Sequence, residues 1–158
     1  MKFLADGMLG KLTRWLRILG HDVTYSTSLS DEELFALAKK ERRVLLTRDF
    51  ELYQKSTAKR LTAFYFEVED NVEQLAEISK RRAFPLKFDI ETSRCPKCNA
   101  NLRSVAKEKV AGRVEKNTFD HYTEFWRCPK CTQIYWHGAH WGRILATLRR
   151  AESKLKLS

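Results

Sequence analysis

Two sets of side chains in this chain have types and spacing that could do chemistry: four cysteines and a series of aspartates. The cysteines stand as Cys95-Pro96-Lys97-Cys98 and Cys128-Pro129-Lys130-Cys131, and the remaining sequence holds none. Each pair is a turn that can bring two thiolates to one metal, and two such turns complete a tetrahedral zinc site. A shell of four thiolates leaves no open position for water, so this zinc is expected to hold structure and to hydrolyse nothing. A thioredoxin-like redox pair or disulfides are the competing uses; two matched pairs with no other cysteine favour zinc over both. The 29 residues between the pairs exceed the usual spacing and suggest an extended hairpin, Leu102 to Val110 and Arg113 onward.

The aspartates fall just after short apolar runs. Asp6 follows Phe3-Leu4, Asp49 closes Val44-Leu45-Leu46-Thr47-Arg48-Asp49, and Asp70 follows Leu61 to Val68. Asp31 opens the helix after the second run, whereas Asp22 precedes its run and belongs at the opposite edge. If the runs are parallel strands, the first four acids gather along the carboxyl edge of one sheet, where open α/β folds bind ligands. Clustered carboxylates repel unless a cation sits among them, which is how hard Mg²⁺ or Mn²⁺ sites are built. Such ions activate water and stabilise charge developing on a phosphate. Each acid also has a plainer use. Asp31 and Asp49 can stabilise helix amino termini, and Asp70 can be solvated at a strand end. Asp6 is the least easily explained that way, because it follows a buried strand and precedes Gly7.

The elements that must position these groups are legible from periodicity. Leu9, Leu12, Leu16 and Leu19 recur at helical spacing, widened by Trp15 and Ile18, with Lys11, Arg14 and Arg17 assigned to the other face and Gly20 as the stop. Val23-Thr24-Tyr25 is a second strand, and Ser30 to Glu33 matches a capping box that opens a second helix. A short helix from Phe50 to about Lys59 and another through Val72, Leu75 and Ile78 complete four β-α units across residues 1–84. Strands alternating with helices imply right-handed crossovers and a parallel sheet covered on both faces. The organisation read here is an α/β domain over residues 1–88, a zinc ribbon over 94–142 and a basic helix or tail over 143–158. That last helix carries Ile144, Leu145 and Leu148 as a stripe expected to pack back on the protein.

Apolar residues make up 43% of the 158, enough for a real core and against disorder. No apolar run approaches the ~20 residues of a membrane helix, and no signal-peptide pattern opens the chain, so the expected setting is cytoplasmic, with no membrane partner. The net charge of +10 is lopsided: residues 94–158 hold 14 Lys and Arg against 5 Asp and Glu, which is +9. A basic half of this kind faces a polyanion. Trp136, His137, His140 and Trp141, after the second cysteine pair, could stack on bases and touch phosphates, or could form the ribbon's small core. Lys11, Arg14 and Arg48 lie near enough to the acidic edge to orient phosphates.

LADGMLGKLTRWLRILGHDV, VLLTRD, RCPKCN, FWRCPKC and IYWHGAHW, in that order from Phe3 to Trp141, resemble the Mut-seven C-terminal RNase family, a PIN-like nuclease domain with an appended zinc ribbon. The resemblance implies a PIN-like three-layer α/β/α fold with a parallel sheet, and metal-dependent cleavage of RNA that leaves a 5′-phosphate and a 3′-hydroxyl. It places Asp6 and Asp49 as Mg²⁺ or Mn²⁺ ligands, with Asp31 the intervening acid and Asp70 a fourth catalytic candidate. Cys95, Cys98, Cys128 and Cys131 match the ribbon's zinc ligands. The expected function is thus a metal-dependent ribonuclease whose basic ribbon helps to bind RNA. A nucleic-acid-binding protein without turnover, a DNA-directed nuclease and a partner-binding scaffold are the rival readings.

Overall fold

The computed structural model describes residues 1–157. Four parallel strands, β1 (Lys2–Ala5), β2 (Asp22–Tyr25), β3 (Val44–Thr47) and β4 (Ala63–Tyr65), form a sheet in the order β2-β1-β3-β4. Between and after them run α1 (Gly10–Ile18), α2 (Asp31–Glu41), α3 (Phe50–Ala58) and α4 (Asn71–Arg82). The strands bury both faces, so the apolar residues alternate between two cores. Phe3, Ala5, Val44 and Leu46 face α1 and α4, while Leu4 and Leu45 face Leu34, Phe35 and Leu52 of α2 and α3. The result is the expected three-layer α/β/α arrangement.

Helix ends follow the sequence closely. Ser30 and Glu33 make the capping box at the start of α2. Gly20 ends α1: its N–H reaches Arg17 O at 2.9 Å, and His21 N–H reaches Leu16 O at 2.9 Å, the pattern of a Schellman stop. Gly20 has φ +86°, and a Cβ there would lie 2.7 Å from Thr92 O, so both the backbone conformation and the space demand glycine. Gly20→Ala is expected to destabilise the protein by about 1–3 kcal/mol, read as a lower midpoint in chemical denaturation.

The strongest strand signal, Leu61 to Val68, yields only three paired residues, Ala63–Tyr65. β4 is an edge strand whose one partner, β3, ends at Thr47, and beyond the Phe66 N–H to Thr47 O bond no ladder is left. Asp70 then caps α4, its Oδ1 accepting from Val72 N and Glu73 N at 2.9 Å each.

The last third is a second, antiparallel sheet, β5 (Arg103–Val105), β6 (Phe125–Arg127) and β7 (Ile134–Trp136). The extended hairpin expected between the cysteine pairs is not formed. A 3₁₀ turn (Lys107–Val110) and a short helix, α5 (Lys116–His121), fold Val110, Val114 and Phe119 onto Phe125 and Ile134. A two-stranded extension would have left those side chains in water. The final helix, α6 (Ala139–Leu157), begins ahead of the expected Arg143, so His140 and Trp141 lie on its first turn. Ile144 and Leu148 of the expected stripe, joined by Ala151, carry it into the main core beside α4, whereas Leu145 is only half-buried.

His21, just past α1, is packed edge-on against Phe84 at 4.3 Å and Phe3 at 5.6 Å, with Nε2 buried and unpartnered. Burial, and then the neighbouring amino terminus, pull its pKa down from 6.5 to about 4. The unfolded chain therefore takes up this proton between pH 6.5 and 4 while the folded chain does not, so the stability His21 contributes is present above pH 6.5 and lost as pH falls toward 4. His21→Phe keeps the ring contacts and should flatten the Tm-against-pH curve in that window.

Candidate functional site

The two cysteine turns are built alike. Cys95 N donates to Ala100 O and Asn99 N to Cys95 O, each at 2.8 Å; Cys128 N donates to Gln133 O at 2.9 Å and Thr132 N to Cys128 O at 3.0 Å. Each loop turns back through a left-handed residue, Asn99 at φ 71° and Thr132 at φ 64°, a conformation that Asn tolerates and a β-branched residue resists. The four sulfurs all lie within 4.8 Å of one another, with Cys95 to Cys131 at 3.5 Å and Cys98 to Cys128 at 3.3 Å. Thiolates about 2.3 Å from a zinc ion stand about 3.8 Å apart, so the set fits one zinc. Cys95 and Cys128 are fully buried among Leu102 and Trp126. Tyr135 Oη lies 3.1 Å from Cys95 Sγ, and burial followed by that sulfur's proximity pushes the phenol's pKa up.

The first turn is fastened to the α/β domain. Arg17 donates from Nη1 to Pro96 O at 3.0 Å and Lys97 O at 3.2 Å, and from Nη2 to Val23 O at 2.7 Å. Asn99 closes the seam from the other side, accepting from Val23 N at 3.0 Å and donating to Asp22 Oδ1 at 2.7 Å. Arg17 is therefore not on the solvated face assigned to it with Lys11 and Arg14: it is buried, and burial pulls its pKa down. Helical periodicity places its side chain correctly on the wheel but cannot show that ribbon carbonyls wait there. Asp22, held by Arg43 and Asn99, lies at the amino edge as expected.

At the carboxyl edge Asp6 is 7% exposed. Its Oδ1 accepts from Met8 N at 2.9 Å, and its Oδ2 accepts from the Thr47 hydroxyl. Thr47 Oγ1 in turn accepts from Asp49 N at 2.9 Å, and Asp49 Oδ1 caps α3 through Leu52 N at 3.0 Å. One hydroxyl thus ties the Asp6 carboxylate, just past β1, to the backbone of Asp49, just past β3, on one rim. Asp31 and Asp70 are drawn elsewhere: Asp31 Oδ2 pairs with Lys55 Nζ at 3.1 Å, and Asp70 caps α4. Among the described residues, the cysteines form a metal-sized cluster of three or more candidate ligands and the acids do not. Asp6 and Asp49 offer the carboxylate oxygens that a hard cation takes.

The sequence model of a family described as the Mut7-C RNAse domain matches residues 1–148, which takes in the sheet, the cysteine cluster and half of α6. The chain belongs to that family. No curated protein and no solved structure matched it. Membership gives this Mut7-C domain a nuclease-type, hydrolytic function in general terms, and no helix among its described residues is long and apolar enough to cross a membrane.

Several basic side chains of the Mut7-C domain gather in one hollow. Lys11, Arg14, Arg48 and Lys97 line a hollow of about 790 Å³ with Met8 and Glu69, and Arg48 pairs with Glu69 at 2.9 Å. A second hollow of about 850 Å³ adjoins it, sharing Lys11, Arg14 and Lys97 and reaching Trp136 and His140. His137 does not line it; its ring stacks on Trp141 at 3.5 Å and runs near-parallel to Trp126 at 5.2 Å. Trp136 rests near Phe125 against the ribbon's core and also lines the hollow. Sequence reasoning missed Thr47 and Arg17. The one available signal for Thr47 was a hydroxyl in an otherwise apolar strand, one residue pair from an acid.

Proposed function

We propose that this Mut7-C domain is a metal-dependent ribonuclease acting at the Asp6–Asp49 rim. The observation that carries the reading is the hydroxyl of Thr47, which donates to the Asp6 carboxylate and accepts from the backbone N–H of Asp49, so that acids following two separate strands share the edge where α/β sheets bind ligands. Asp6 and Asp49 would hold Mg²⁺ or Mn²⁺, which supplies Lewis-acid stabilisation of phosphate charge and activation of water. Thr47 orients the Asp6 carboxylate and holds the backbone of Asp49. Lys11, Arg14 and Arg48 meet the phosphate and fix its approach, and the basic ribbon, with Trp136, His137 and His140, helps to grip RNA. Asp31 and Asp70 would join the site only by giving up Lys55 and the α4 cap, respectively. The cysteine zinc holds the fold, and reduced thiolates suit a cytoplasmic setting.

A second reading, a nucleic-acid binder without turnover, is favoured by one feature: the third acid is not gathered in among the described residues. One gel separates the two. Labelled single- and double-stranded RNA and DNA are incubated with Mn²⁺, without divalent ions, and with Asp6→Asn protein. Mn²⁺-dependent RNA products absent from the Asp6→Asn lane support the ribonuclease. RNA retained on the protein with no products in any lane supports the binder, and cleavage confined to DNA makes it a DNA nuclease.

A further inference from the structure

The hollow between α1 and α6 has a composition that goes beyond a generally basic surface. Lys11, Arg14, Trp15 and Ile18 form one wall; their spacing puts them on a single face of α1. Ile144 and Thr147 of α6 form the other wall, and Trp136 with the Pro96–Lys97 turn closes the end. Its floor is aromatic and aliphatic, its rim carries Lys11, Arg14, Lys97 and Arg143, and no Asp or Glu lines it.

We propose that this seam is a track for single-stranded RNA, along which the strand runs beside α1 to the Asp6–Asp49 rim. The direction of travel rests on the ribonuclease reading; the binding does not. Cations along the lip match a phosphate backbone, and rings beneath match exposed base faces, the pairing that single-strand sites use. A duplex keeps its bases stacked inside and offers mainly phosphates and 2′-hydroxyls, so it would leave the aromatic floor unused. The two hollows join through Lys11, Arg14 and Lys97, and α1, which walls the track, begins at Gly10, four residues after Asp6, which directs the strand toward the rim. Both halves of the protein build it, so neither wall alone would be a site.

The test is equilibrium binding of a fluorescein-labelled oligouridylate to zinc-loaded, full-length Asp6→Asn protein without Mg²⁺ or Mn²⁺, over a range of salt. The strand should bind more tightly than a blunt RNA duplex of equal length. Arg143→Gln should lower the slope of log K against log salt by about 0.7, the value for one phosphate contact on a single strand. His140→Ala, an exposed change, should weaken binding roughly 5- to 150-fold, as loss of one stacked base does. Lys39→Gln, on α2 across the sheet, should change neither. Zinc content and Tm check that each variant is folded. Equal affinity for duplex and strand, wild-type slope and affinity in both seam variants, equal binding of a polyglutamate peptide, or gel filtration showing two chains joined through the seam would each overturn the proposal. Because cleavage plays no part in the readout, a protein that binds this way but never cuts sinks the ribonuclease reading and leaves the seam standing.

Discussion

Asp6→Asn should lower Mn²⁺-dependent cleavage of RNA by at least about a hundredfold, the scale on which mutations around a metal site cost activity, while the fold survives. The two effects separate because of what Asp6 touches. An asparagine has nearly the same shape, and its carbonyl still accepts from Met8 N. Its amide turns a donor toward Thr47 Oγ1, which already accepts from Asp49 N, so the hydroxyl proton must find another partner. One misfitted hydrogen bond costs about 1–2 kcal/mol, well below the 5–15 kcal/mol of an ordinary domain. The measurement is single-turnover cleavage beside a denaturation curve. Wild-type rates in a folded Asp6→Asn protein would remove the rim from the chemistry.

Zinc removal should be the larger blow to structure. Four-thiolate zinc is worth about 10–16 kcal/mol of apparent binding free energy at pH 7 in small peptides, as much as or more than the whole stability of many domains. Around the sulfurs only a few apolar side chains, Leu102 and Trp126 chief among them, are buried, too few to hold the two turns against thiolate repulsion. Stripping the metal with a chelator, or Cys128→Ser, is expected to release about one zinc per chain and to abolish the near-ultraviolet circular dichroism of the ribbon's packed tryptophans. The parallel sheet has its own cores on both faces and should keep much of its far-ultraviolet signal. An apo protein with an intact ribbon signal would show that the cysteines are not the ribbon's chief support.

What could be read in advance divides along physical lines. Local rules were reliable: Ser30 with Glu33, the stop at Gly20 and the cysteine turns depend on residues a few places apart, and each formed as their types required. The rim placement of Asp6 and Asp49 followed from strand direction alone. Non-local partners were not legible. Arg17 looked like a solvated cation because nothing nearby in sequence shows the carbonyls of Pro96 and Lys97 above it. Thr47 looked like strand filler because its partner is 41 residues away. β4 fell short of its apolar run because ladder length is set by the neighbouring strand, and the inter-cysteine segment folded inward because Val110 and Phe119 needed cover.

Arg17 has a further consequence. Its guanidinium spans the junction between the two halves, donating to backbone oxygens of both, in a place water scarcely reaches. Pulling the ribbon away would leave a buried charge short of its acceptors, a state that proteins avoid at a cost of several kcal/mol. The halves are therefore unlike beads on a string. Losing the ribbon's metal should thus be felt across the junction, at Val23 and the end of α1, even though the sheet's own cores stay in place.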